Sequence, residues 1–162
     1  MSEIADTIVE LAHYAAGRDT VAATHIAAAA CRQHTMQLFV SALFQSYWRA
    51  ATMLHSDLGM QHLRDWLVSY SLRPDFDNDL RLAARVILDL DLAADTATPE
   101  GASLREIAVA TFEELAGVVD DTGRTNAVIG GIAVVFAAAL PVLHHPPGLD
   151  LLARCAEEVT GE

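Results

Sequence analysis

Residues 126–143 read NAVIGGIAVVFAAALPVL, eighteen residues without a charge, bounded by Arg124 on one side and His144-His145 on the other. How this stretch is read decides the fold. It sits at the short end of the roughly 17–25 residues a membrane-spanning helix needs. It is rich in Ala and Gly rather than Leu and Ile, and Pro141 interrupts its far end. A helix buried on all sides of a globular core has the same appearance. That second reading is adopted here: a core helix from Thr125 that stops before Pro141, with no membrane span over 126–143.

Working outward, apolar residues recur at three and four almost everywhere, the period of helices packed on one another. A first helix runs from Glu3 to Ala16 with Ile4, Ile8, Leu11 and Ala15 on one face, and Gly17 is expected to close it. Asp19 or Thr20 can cap the next. No Gly or Pro then appears until Gly59, so residues 19–57 can form one long central helix, with a break near 32–35 as the alternative. Its second half carries a polar line, Gln37, Ser41, Gln45, Arg49, Thr52 and Ser56, while Phe39, Leu43, Phe44, Tyr47 and Trp48 make the rest apolar. The small residues of 22–30 allow close backbone approach. After Gly59 a shorter helix holds Leu63, Trp66, Leu67 and Tyr70, and Pro74 ends it by pushing Arg73 out of the helical region.

Asp75, Asp77 or Asp79 can cap a helix carrying Phe76, Leu80, Ala83, Ile87 and Leu90; the alternation over 86–92 is weaker than its helical stripe. Ser103-Leu104-Arg105-Glu106 has capping-box spacing and opens a further helix. Pro146-Pro147-Gly148 reads as a loop before a last amphipathic helix with Leu149, Leu152, Ala156 and Val159. The expectation is an all-α, single-domain bundle of six to seven helices spanning 1–162.

Charge divides this domain into two chemically unlike sides. Residues 1–74 hold six acids against five arginines, and residues 75–162 sixteen acids against five, so the nets are −1 and −11. The first side is aromatic and His-rich, with five of the seven histidines. There is no lysine, and a net charge of −12 disfavours generic nucleic-acid or anionic-lipid binding, which needs a basic face. A basic protein partner would suit the acidic side. Two cysteines are too few for a disulfide framework. The N-terminus carries Glu3 and Asp6 where a secretory signal carries bases, so a cytoplasmic location with reduced thiols is expected.

Several groups could carry chemistry. Glu10-x-x-His13 has the spacing that aims a carboxylate and an imidazole at one metal in di-iron bundles, but such a site needs a second copy, and none is present. Cys31 and His34 lie one turn apart, two ligands where zinc needs three or four. His55 and His62 read as hydrogen-bonded structural histidines. The acids of 75–79 resemble the start of a calcium loop, yet Leu80 stands where Gly is required and Val86 where Glu is required. Glu113-Glu114 and Asp120-Asp121 read as solvated helix ends. No phosphate-binding loop, dinucleotide fingerprint or zinc-protease motif occurs.

The line His34, Gln37, Ser41, Gln45 and Arg49 could instead line a pocket in which Arg49 orients an anion between walls made by Tyr47 and Trp48. The bland alternative is a face that meets water. The aromatic surplus of this helix is more than one neighbour can bury, which suggests pairing with a second copy. The leading expectation is therefore a non-enzymatic soluble protein, without cofactor, acting through protein–protein contacts as a homodimer. A sensor-like module binding an anionic ligand near Arg49 is the first alternative. A metal-dependent helical enzyme, with Glu10, His13, Cys31 and His34 as its ligand candidates, is the second.

Overall fold

Two non-helical residues divide what the sequence allows as one helix over 19–57. His34 is extended (φ −126°, ψ 166°), and Thr35 follows at φ −68°, ψ 145°, its hydroxyl accepting the Leu38 amide at 3.2 Å. A side-chain cap in the middle of an uninterrupted apolar pattern starts a new helix without any Gly or Pro. The long central helix is thus corrected to two helices at the alternative break. The computed structural model describes residues 3–96 and 122–160. They form α1 (Glu3–Ala16), α2 (Thr20–Gln33), α3 (Met36–Leu54), α4 (Asp57–Ser71), α5 (Asn78–Thr96), α6 (Thr122–Ala139), a 3-10 turn (Pro141–His144) and α7 (Pro146–Thr160), with no strand among the described residues. The capping box at 103–106, its helix and the paired acids at 113–114 and 120–121 lie outside the described residues.

Most ends follow the sequence, with three differences. Asp19 caps α2 through the Ala22 amide at 3.0 Å, and Asp77 caps α5 through the amides of Asp79 and Leu80. After α1, however, it is Arg18 rather than Gly17 that enters the left-handed region, at φ 56°. Helix α4 begins at Asp57, two residues before Gly59, because the Ser56 hydroxyl caps it on the Gly59 amide at 3.1 Å. Pro146-Pro147-Gly148 is the first turn of α7 rather than a loop, since the N–H that Pro lacks is one the first turn of a helix leaves unused. A non-glycine in the left-handed region costs about 1–2 kcal/mol. Arg18→Gly is therefore expected to stabilise the fold by about 1 kcal/mol, read as a higher urea midpoint at unchanged slope.

The central element is α6. Residues 128–136, nine in a row and more than two full turns, are buried around the whole circumference. Helices α1, α2 and α5 enclose it, with α3, α4 and the 3-10 turn completing the shell. This is the uncharged stretch that opened the sequence, and among the described residues no helix is long and apolar enough to cross a membrane. The Ala-rich α2 lies close against it: a Cβ built on Gly130 would stand 2.8 Å from the Ala23 carbonyl group. Helix α4 lies at the edge and is tied to α5 by the two-point Arg64–Asp91 ion pair at 2.7 and 3.3 Å.

The apolar side of α3 is covered by the chain itself. Phe39, Leu43, Phe44 and Tyr47 are fully buried; Trp48 is half-buried, stacked on Phe44 at 5.3 Å with the Arg64 guanidinium 5.8 Å from its ring centre. The surplus face from which a homodimer was expected is therefore not left over. Trp48→Ala should cost ~2 kcal/mol, about half the loss for a fully buried Trp, and lower the melting temperature with no change of mass in solution.

A buried polar pair joins α3 to the 3-10 turn. The Tyr47 ring stacks on Phe136 at 4.3 Å, and its hydroxyl lies 2.8 Å from His144 Nε2. His144 Nδ1 is 3.3 Å from the Leu140 carbonyl, which can only accept, so Nδ1 carries the proton and Nε2 accepts from the Tyr47 hydroxyl. Burial is the main cause that holds the His144 pKa below its ordinary 6.5. The folded chain keeps this imidazole neutral where the unfolded chain would protonate it, so its contribution to stability is full above pH 6.5 and falls as the pH is lowered. Urea titrations between pH 7 and 5 should show that loss in the parent. His144→Asn should be less stable at pH 7 and flatter below it.

Candidate ligand-binding cleft

Three separated parts of the chain, Arg18, the stretch 66–80 and the end of α6, meet at one cleft of about 570 Å³. Helix α4 contributes Trp66, Ser69 and Tyr70, the last two lying three and four residues after the first and so on one side of an edge helix. The connection from α4 to α5 contributes Arg73, Asp75, Phe76 and Asp77. Leu80 of α5 and Val134 and Ala138 of α6 form the apolar side, and Arg18 stands at the turn between α1 and α2.

The aromatic wall is continuous. Tyr70 lies between Trp66, with ring centres 5.1 Å apart, and Phe76, at 4.6 Å. The connection is held in place by its own ion pair: Arg73 donates through Nε and Nη2 to the two carboxylate oxygens of Asp75 at 3.1 and 3.0 Å, and its guanidinium lies 4.6 Å from the Phe76 ring centre. The hydrogen bond from Arg73 holds the Asp75 carboxyl below its usual range, so the pair stays charged. Burial pushes the Tyr70 hydroxyl up, with Arg18 opposing and Asp77 adding to the shift, so at neutral pH the group is an O–H donor. Chemically the cleft offers stacking surface, one satisfied ion pair and polar groups at its rim.

The polar line on α3 goes elsewhere. Gln45 donates to the Ser41 hydroxyl at 2.7 Å, and both face a separate notch of about 210 Å³ against Ile4 of α1 and Val159 and Thr160 of α7. Arg49 is exposed and paired with Glu158 of α7 at 3.2 Å. Tyr47 and Trp48 point to the core side of the same helix, against Phe136, so they do not wall a pocket that includes Arg49. The reason is angular: residues at i and i+2 on a helix lie about 200° apart, so Tyr47 and Arg49 face opposite ways. Gln37 lies half-buried on the same helix, one turn before Ser41. His34 caps α2, with its Nε2 buried and no hydrogen-bond partner present.

The metal candidates are not brought together. Glu10 and His13 are exposed, the latter edge-on to Tyr14. Cys31 is half-buried, its thiol pushed up to about 11 by burial and hence protonated. Among the described residues no three His, Cys, Asp or Glu side chains gather as a metal set would.

The residues that do line the cleft left only a faint trace in the sequence. Trp66 and Tyr70 at i, i+4 are visible as a pair, and Pro74 marks the connection. Nothing local signals that Arg18, 48 residues earlier than Trp66, meets them. Comparison with protein-family models, with curated proteins and with solved structures finds no match to this chain.

Proposed function

We propose that this protein is a non-enzymatic helical module that takes a small molecule reversibly into the cleft between α4, α5 and α6. The observation that supports this reading is the cleft itself: about 570 Å³, within the 300–1,000 Å³ usual for ligand sites, with a three-ring wall beside charged and hydroxyl groups that could orient a ligand. The sensor-like alternative from the sequence is thereby preferred to the homodimer, whose argument was the surplus face of α3, and it is moved from Arg49 to the Trp66–Tyr70–Phe76 wall. The cysteines are free, as a reducing compartment keeps them, and a cytoplasmic setting belongs to the proposal.

A thermal-shift screen with small aromatic and aliphatic compounds tests the reading. A ligand at one hundred times its Kd adds about 2.7 kcal/mol, or a rise of roughly 5–10 °C for a chain of this size. Ala138→Trp, placed on an exposed lining residue, should fill the cleft and remove the shift while leaving the parent melting curve in place. A shift that survives Ala138→Trp refutes the cleft as the site.

A second reading, contact with a protein partner, is favoured by one feature. Met53, Leu54 and Leu58 are exposed together where α3 turns into α4, with Met53 62% and Leu58 68% accessible. With residues 75–162 at −11, the partner in that reading presents a basic surface. Its capture should weaken as salt rises from low to physiological ionic strength, where charges are screened over about 8 Å. Equal recovery at both salt concentrations removes the electrostatic part of that reading.

A further inference from the structure

Two arginines and two aspartates line the cleft, and they differ in how far each is matched. Arg73 is matched in full by Asp75, through two hydrogen bonds at 3.0 and 3.1 Å. Asp77 is committed to the start of α5, accepting from two backbone amides at 2.9 and 3.3 Å, where the helix end offsets its charge. That leaves Arg18. Its guanidinium has no ion pair with any described residue. Arg18 is thus an exposed cation that lines the same cleft as the aromatic wall.

Two further observations bear on the same corner. Arg18 holds the left-handed backbone conformation at φ 56°, although Gly17 stands next to it and could have taken that position more cheaply. Backbone strain of this kind gathers where a side chain must be aimed. Close by, the Tyr70 hydroxyl, which senses the charge of Arg18, makes no hydrogen bond with another described residue and is a protonated donor. The corner therefore offers two donors unpaired among the described residues, a guanidinium and a phenol, the phenol on the middle ring of the three-ring wall.

We propose that the cleft is a receptor for a small aromatic carboxylate, whose ring stacks on the Trp66–Tyr70–Phe76 wall while its carboxylate is held by Arg18 and the Tyr70 hydroxyl. This rests on the cleft being a binding site and adds to it the class of ligand. A carboxylate uses both donors at once, and a charge-assisted hydrogen bond to a guanidinium is about twice as strong as a neutral one. A neutral isostere loses that term, and a cationic one meets repulsion from Arg18.

The test uses 2-naphthoate, 2-naphthalenemethanol and 2-naphthylmethylammonium as probes, titrated into the full chain by calorimetry. Naphthoate should bind at least tenfold more tightly than the alcohol, and the ammonium most weakly. Arg18→Gln should reduce that preference to near unity, chiefly by weakening naphthoate. Arg18→Gly should do the same while raising the melting temperature, which separates loss of the ligand contact from loss of the fold. Tyr70→Phe should weaken naphthoate by a smaller factor and leave the alcohol nearly unchanged. If the three probes bind equally well and Ala138→Trp blocks them all, the cleft is a binding site but the carboxylate assignment is wrong. Naphthoate binding unaffected by Arg18→Gln overturns the assignment as well. If no probe binds at millimolar concentration, the assignment and the cleft reading fall together.

Discussion

Phe136→Asp is expected to leave the chain without a cooperative unfolding transition at 25 °C. Phe136 is fully buried in the most enclosed part of α6, stacked face to face on Tyr47 at 4.3 Å and met edge-on by Trp48 at 6.3 Å. Removing the ring alone, as in Phe136→Ala, costs about 3–5 kcal/mol through lost burial and the cavity left behind. The carboxylate adds an unpaired charge in hydrocarbon, worth several kcal/mol more even after its pKa rises to neutralise it. Against a total stability of about 5–15 kcal/mol, the sum reaches or exceeds what holds the domain together. Val134→Asp should be milder, because Val134 is 5% accessible and borders the cleft, where water can reach a carboxylate. A far-UV melt in which Phe136→Asp unfolds like the parent would place this helix at a surface and overturn the architecture.

The second large effect separates two neighbouring glycines. A Cβ on Gly130 would stand 2.8 Å from the Ala23 carbonyl carbon and oxygen and 3.0 Å from the Thr24 amide nitrogen, all of them backbone of α2. Backbone cannot turn aside, so α2 and α6 must separate. Gly130→Ala is expected to destabilise by about 2 kcal/mol net of the ~1 kcal/mol that Ala gains in helix propensity, and Gly130→Val by at least about 3 kcal/mol. At Gly131 the nearest atoms are the tip of Leu80 at 3.1 Å and the Ala83 methyl at 3.3 Å. A leucine tip can rotate, so Gly131→Ala should fall within about 1 kcal/mol of the parent. Equilibrium urea unfolding of the two Ala variants checks this; equal effects would mean that α2 and α6 are not in backbone contact at Gly130.

These two residues also show what kind of information the sequence carries. That the uncharged stretch forms a helix ending before Pro141 is written in its composition, whereas its burial over 128–136 is seen in the packed bundle. That Gly130, and not Gly131, is the indispensable one depends on which side faces α2. The same limit applies to His34 and Thr35. A Thr can cap a helix, yet it also sits inside helices, and which occurs here depends on whether α2 and α3 can each bury an apolar face after the break. The sequence supports both outcomes because every residue from 20 to 54 is compatible with a helix.

At the candidate site the separation is sharper. The polar line is real as a pattern over Gln37, Ser41, Gln45 and Arg49 of α3, while His34 and Ser56 fall outside that helix as caps. The face carrying the line turns toward α7, where Arg49 finds Glu158, and the aromatic neighbours expected to complete a pocket lie on the far side of the same helix. The cleft forms instead where an edge helix, a proline-broken connection and the turn after α1 come together, and none of these carries a motif.

The sequence by itself determined the all-helical class, the single bundle, the uncharged helix that stops before Pro141, and the few cap candidates among which Asp19 and Asp77 stand. These depend on period, charge and short-range hydrogen bonding, which act within about one or two helical turns. Only the tertiary structure decided that α6, rather than a long helix over 19–57, is the centre, that the aromatic face of α3 is covered from within, and that Arg18 meets Trp66 and Tyr70. Those outcomes depend on how helix faces match across the core, where long-range packing chooses among arrangements that local preference leaves nearly equal in energy.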